Sequence, residues 1–376
     1  MPDQYFAELF PADTSPYYVA APPYTRFSAG VKALHLLCHS LNARGQRAYL
    51  LPLASAGTFD PDSFCAPDLL TPMLTERIAR HYFEKQQTPI TIYPEIVAGA
   101  PFGGVSVVRY ILNFPGLLGG DRSFNPAELC FSYSKVLAAS TSAKENVLFI
   151  PTSDTRIFYP PRAEAPRTGS CFYASKYKRH HDGKLFEVTK HSLEITSDLP
   201  SSPTQEQIAE LFRNSEIFYT YENTALATEA TLCGCPVVFL PSEHLTSIIA
   251  SEELGMDGYA WGAAPDEVAR AKATVINAFE NYARKTREFY KSLNIFIAKT
   301  QEHAKAKKQT PSDLNLLLTQ LPERSNKSSE NNDYAPLLLK LPWKIEKKIG
   351  STLCTLGLKR DGEFLWNRAT QRSKKI

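Results

Sequence analysis

Two glutamates bracket a short polar stretch in the run Glu222-Asn-Thr-Ala-Leu-Ala-Thr-Glu229, and they are the first place to expect chemistry. Ile217 to Tyr221, just before them, are all β-branched or aromatic, which suits a buried strand. Glu222, Asn223 and Thr224 offer side-chain oxygens that can cap a helix N-terminus. Ala225 to Leu232 are mostly good helix formers, and Gly234 with Pro236 supplies a stop. Val237 to Leu240 then reads as a short strand of a parallel sheet. A helix that starts at the carboxyl end of a strand presents free N–H groups and a positive dipole end, a ready site for a diphosphate.

The rest of the chain must position that stretch. Its 376 residues fit two domains of ordinary size. No run of 18 apolar residues occurs, and the first residues lack the basic flank and apolar core of a signal peptide. Seven scattered cysteines (38, 65, 130, 171, 233, 235 and 354) form no CxxC pair and no metal-like spacing. They fit reduced thiols in a cytoplasmic protein, with Cys233 and Cys235 as small packing residues. Net charge is +3, yet residues 337–376 alone carry a surplus of seven positive charges, which leaves the remainder at about −4. A slightly acidic body argues against nucleic acid as a partner.

Strands are expected at Tyr17–Ala21, Gln46–Leu53 and Pro89–Tyr93, with a helix from Val31 to Leu41 whose apolar stripe is Val31, Leu34, Leu37, Cys38 and Leu41. A helix is also expected over Thr71–Gln87 and another over Val105–Leu112, with short strands at Phe131–Tyr133 and Val147–Ile150. The turn Tyr24–Gly30 lies at the carboxyl end of the first strand. It is as compatible with a loop closing over a sugar or acceptor, through Tyr24 and Gly30, as with a plain turn. A second α/β run follows Pro160–Pro166: strands at Ser170–Ala174 and Leu193–Thr196, a helix Thr204–Arg213, then the opening stretch. Pro265 to about Lys308 reads as one long helix, and Gln309–Pro336 as a polar flexible connection. The expected domains are therefore 1–160, 161–308, a linker 309–336 and a tail 337–376. In the tail, Leu341, Ile345, Ile349, Leu353 and Leu356 share one helical face beside scattered lysines. Such a basic amphipathic helix fits an anionic membrane surface, a partner or the first domain.

Two α/β halves and the ending Glu229-Ala-Thr-Leu-Cys-Gly234-Cys-Pro236-Val-Val238 resemble GT-B glycosyltransferases of the family-4-like branch. The segment Tyr93–Gly120 is similar to bacterial transferases of O-antigen or capsule type. Six residues separate Glu222 from Glu229 where the family pattern has seven. The resemblance implies two Rossmann-like domains facing a cleft. The first would take a glycan or lipid-linked acceptor, and the second a nucleotide-sugar donor. It makes Glu229 a ligand of ribose hydroxyls and puts Ser175, Lys178 and Arg179 at the phosphates, with Lys176 and Lys184 as rivals and Asn223 and Thr224 on the other side. An inverting transfer needs a general base on the first domain, for which Glu95, Asp13 and His35 are available. Glu95, in a loop after a strand, is favoured, and Glu222 is the other catalytic candidate. No carboxylate pair sits in a convincing metal-binding loop; Asp60-Pro-Asp62 has the spacing but falls in an expected surface turn. No metal or cofactor is expected. The alternatives are a nucleotide-sugar epimerase of the same architecture, or a non-catalytic module that binds sugar nucleotides or docks partners. A cytoplasmic location, peripheral at the inner membrane face, would follow from the tail.

Overall fold

A computed structural model describes residues 13–53, 61–141, 143, 145–161, 166–181, 183–196 and 202–321. The tail 337–376, the end of the expected linker and Asp60 lie outside the described residues.

The first half begins with β1 (Tyr17–Ala21), α1 (Ala29–Ala43), β2 (Ala48–Pro52), α2 (Pro61–Phe64) and α3 (Glu76–Glu84). It continues with β3 (Ile90–Pro94), β4 (Ser106–Ile111), β5 (Leu129–Ser132) and α4 (Lys135–Ala139). Its five strands pair in the order β2-β1-β3-β4-β5, all parallel. The expected helix at Val105–Leu112 is a correction: those residues form β4. Ser-Val-Val-Arg-Tyr-Ile is rich in β-branched and aromatic residues and is buried along its whole length, as a central parallel strand requires. The strand expected at Val147–Ile150 reduces to one isolated bridge, Val147 to Ser132.

The second half contains β6 (Ser170–Tyr173), α5 (Ser175–His181), β7 (Leu193–Glu194), α6 (Gln205–Asn214) and β8 (Ile217–Thr220). It goes on through α7 (Ala225–Leu232), β9 (Val237–Phe239), α8 (Ser251–Leu254), β10 (Tyr259–Trp261) and α9 (Pro265–Thr274). Its strands pair in the order β10-β9-β8-β6-β7, again all parallel. Counted from each half's own first strand, both sheets have one topology, 2-1-3-4-5. Two α/β halves were expected from the alternation of patterns, and the structure has them.

The end of the chain ties back to the first sheet. The expected single helix from Pro265 breaks at a 3₁₀ turn, Val275–Asn277, before α10 (Ala278–Lys305). Tyr282 of α10 packs in the core of the second sheet, whereas Phe289, Leu293, Phe296 and Ala304 pack with α1 on one face of the first. A further helix, α11 (Pro311–Gln320), lies where a flexible connection was expected. Thr310 and Asp313 form a capping box at its start. Its Leu314 and Leu317 pack with Ala79 and Tyr82 of α3 on the other face of the first sheet. Both faces of that sheet are thus covered, which is why β1 alternates Tyr17, Val19 and Ala21 to one core and Tyr18 and Ala20 to the other. Among the described residues, no helix is long and apolar enough to cross a membrane.

Candidate functional site

In an open parallel sheet, the strand order reverses at a switch point, and the loops on either side diverge to leave a crevice at the strands' carboxyl ends. Here those loops follow β1 and β3 in one sheet, and β6 and β8 in the other. All four contribute to one cavity of about 190 Å³. From the first sheet come Pro22, the Phe27–Val31 turn and Pro94–Ile96; from the second come Tyr173, Lys176 and Asn223–Ala225. Tyr133, Tyr259 and Tyr282 also line it, and Tyr282 holds Ser153 by donating to its carbonyl at 3.0 Å and accepting from its N–H at 2.8 Å. Among the described lining residues, Glu95 and Lys176 are the charged ones.

Glu95 is 3% exposed, and its Oε2 accepts the Leu112 N–H at 2.8 Å. Burial pushes its carboxyl up to about 7, against the pull of the Leu112 and Glu95 N–H groups and the Arg109 cation. Lys176 lies opposite, in the first turn of α5. Its Nζ is 3.7 Å from Glu222 Oε1 and donates to the Asn223 carbonyl at 3.4 Å.

The structure brings some of the expected residues to this cavity and leaves others out. Thr224 lines it and caps α7, accepting the Leu226 N–H at 3.3 Å. Asn223 lines it too, but its amide is committed: Nδ2 donates to Ser247 O at 2.9 Å and Oδ1 accepts the Ile249 N–H at 3.0 Å. Its side chain therefore pins the 247–249 segment at the cavity wall. Gly30 reaches the cavity in the first turn of α1, where Ser28 accepts the Val31 N–H at 3.3 Å. Tyr24 does not line it; its ring meets His35 edge-on, with centroids 5.3 Å apart.

Glu222 is buried, and its Oε2 accepts the Tyr177 N–H at 2.9 Å in the first turn of α5. Burial raises its pKa, opposed first by Lys176. Glu222 is not among the cavity-lining residues. In the structure the Glu222 side chain ties the loop after β8 to α5. Lys178 is likewise engaged elsewhere, its Nζ 2.7 Å from both oxygens of Glu194 on the edge strand β7. Neither it nor Ser175 nor Arg179 lines the cavity, because the turn of α5 aims Lys176 inward. Of the other carboxyl and imidazole candidates, Asp13 is exposed beside Arg47. His35 is fully buried, with Nε2 against the Pro22 carbonyl at 2.9 Å, and burial lowers its pKa.

Glu229 makes a contact between the two halves. It is 4% exposed, and its Oε1 accepts from Lys32 Nζ at 3.0 Å. Lys32 belongs to α1 of the first half, so the pair joins the two halves. Glu229 also lines a small cavity that shares Phe27, Tyr173, Thr224 and Ala225 with the main one. Sequence reasoning passed over Lys32, although a lysine beside the stripe of an otherwise apolar helix was a signal. It passed over Arg109 too, whose segment was read as a helix and not as a central strand. Cys233 and Cys235 are fully buried, as expected, and burial pushes the Cys233 thiol up to about 12.

The fold and the cleft define a two-sheet α/β protein with a crevice at the carboxyl ends of both sheets. No protein-family model matches the chain, and no curated protein matches it. Solved structures similar to it include AviGT4, a glycosyltransferase involved in avilamycin A biosynthesis, at 13% identity and TM-score 0.43, over 79% of this chain and 100% of that one. Another is the spinosyn rhamnosyltransferase SpnG complexed with thymidine diphosphate, at 13% identity and TM-score 0.37, over 76% and 99%. A putative UDP-N-acetylglucosamine 2-epimerase from Listeria monocytogenes is similar at 10% identity and TM-score 0.38, over 78% and 98%.

Proposed function

We propose that the chain is a glycosyltransferase that moves a sugar from a nucleotide-sugar donor to a hydroxyl of a glycan or lipid-linked acceptor, without a metal ion. The observation that carries this reading is an opposition across one cleft. A buried carboxyl, Glu95, stands at the carboxyl end of one parallel sheet, while Lys176 and the N-terminus of α7 stand at the end of the other. In this reading the donor lies on the second sheet. Its departing diphosphate gathers negative charge, which Lys176 and the positive dipole end of α7 stabilise. The acceptor lies on the first sheet, and Glu95 takes the proton of its attacking hydroxyl, the arrangement an inverting transfer needs. Glu222 holds α5 so that Lys176 faces the donor. Glu229, whose Oε1 is held by Lys32, binds the ribose hydroxyls in this reading. The finer reading is an acceptor in bacterial surface polysaccharide synthesis, with the basic residues of 337–376 bringing the chain to an anionic membrane face.

Thermal-shift measurements against nucleoside diphosphates and their sugar conjugates test the donor side. A ligand at 100 times its Kd stabilises the folded chain by about 2.7 kcal/mol. The expected result is a rise in Tm with one base and sugar, weakened by Lys176→Ala. A flat response to every nucleotide and nucleotide sugar would overturn the reading.

A further inference from the structure

Arg109 is 1% exposed at the middle of a central strand, where a cation has no place unless its surroundings are built for it. They are. Nε and Nη2 donate to the two oxygens of Glu128 at 2.9 and 3.1 Å. Nη2 also donates to Gly99 O at 2.9 Å, and Nη1 to Val97 O at 2.9 Å and Pro94 O at 3.5 Å. All five N–H groups of the fork are thereby used. The guanidinium carbon lies 5.4 Å from the centroid of the Tyr93 ring and 5.0 Å from that of Phe124. Three of the acceptors are carbonyls of the 94–99 segment, the segment that carries Glu95. From another side, Gly120 presses on the same segment: a Cβ built there would stand 2.1 Å from the Glu95 carbonyl oxygen. Its φ of +74° also favours glycine.

We propose that Arg109, held by Glu128, is a positioning residue that fixes the Glu95 segment at the cleft and sets the field in which Glu95 exchanges its proton. This rests on the reading of Glu95 as the proton acceptor. The Leu112 N–H holds one oxygen of that carboxyl, but the loop backbone that carries it lies outside helix and strand and needs its own anchor. With three carbonyls on one flat cation, the backbone of the loop has a single arrangement. The other titratable or charged groups near it are Tyr110 on β4, Asp121, whose Oδ2 accepts the Gly99 N–H at 2.6 Å, and, on the shared cleft, Tyr133 and Lys176. None of these contacts the guanidinium, so the Arg109–Glu128 pair can be altered separately.

Carboxyl-carbon NMR titration of the full chain, labelled at the glutamate side-chain carboxyl, gives the test, with Glu95→Gln identifying the resonance. Arg109→Gln removes the cation and should raise the Glu95 midpoint. Glu128→Gln leaves the cation unneutralised and should lower the midpoint. A merely structural role would not move it in opposite directions. Midpoints that stay put, or that move the same way in both variants, would overturn the proposal. Should Arg109→Gln not fold, Glu128→Gln decides alone: a fall supports the proposal, and an unchanged or raised midpoint rejects it. Because the titration needs no nucleotide or acceptor, a failed donor screen would leave its result standing.

Discussion

Replacing Lys32 by methionine lowers the stability of the folded chain by about 3–5 kcal/mol, read from the urea midpoint. The stem survives in methionine, so the loss comes from stranding Glu229 as a buried carboxylate without its cation. Side-chain exposures of 4% and 5% and a separation of 3.0 Å leave little water to take the lysine's place. The pair itself contributes much less than that, because burying two charges offsets most of their attraction. Hence the double variant Lys32→Met/Glu229→Leu should recover most of the lost stability. The two residues lie on α1 and α7, one from each half of the chain. A single-variant loss below about 1 kcal/mol, the range of exposed pairs, would show that the two halves part in solution and the contact is not kept.

Substituting glutamine for Glu95 should reduce turnover by about 10²–10⁴-fold, the range of a lost general base, with little change in nucleotide affinity. The loss is to be measured with the donor that the thermal-shift panel identifies and an acceptor bearing a free hydroxyl. An unchanged rate would remove Glu95 from the reaction. The base form has to be ionised, and the folded carboxyl titrates at about 7, so activity should rise with pH and reach half its plateau near there. Stability moves the other way. The ordinary value for a glutamate in the unfolded chain is 4.5, so between 4.5 and about 7 the folded chain keeps a proton that the unfolded chain has released. The contribution of the neutral carboxyl is complete below pH 4.5 and is lost as pH rises through 7. From pH 5 to pH 8 the native chain should therefore lose on the order of 2–3 kcal/mol more than Glu95→Gln, which has no proton to release. Equal losses would mean that the carboxyl is solvated in the folded chain.

How much of this was legible depends on the range of the interaction involved. β1 was read at Tyr17–Ala21 and α7 at Ala225–Leu232, both as found, because local pattern and capping chemistry set them. Thr224 as a helix cap and Cys233 as a packing residue were equally local. β4 was misread, because a segment buried on both faces carries no alternation to set strand against helix. Helix α11 was missed although Thr310, Pro311 and Asp313 form a local helix start and Leu314, Leu317 and Leu318 share a face, because its segment was grouped with the polar residues that follow it.

The division is sharper at the cleft. The sequence by itself determined that two α/β halves exist, that a helix starts just after β8, and that Glu95 follows a strand at its carboxyl end. These follow from propensities and spacings within a few residues. Only the tertiary structure decided which side chains meet there. It turned Lys176 inward and Lys178 out to Glu194, and it gave Asn223 to a neighbouring loop and Glu222 to the first turn of α5. It also closed Lys32 on Glu229 across 197 residues of chain, and set three carbonyls on Arg109 beneath Glu95. The physical reason is that a buried charge takes whatever partner the packed elements bring within reach, and one turn of a helix or one loop contact, invisible in residue spacing, decides which partner that is.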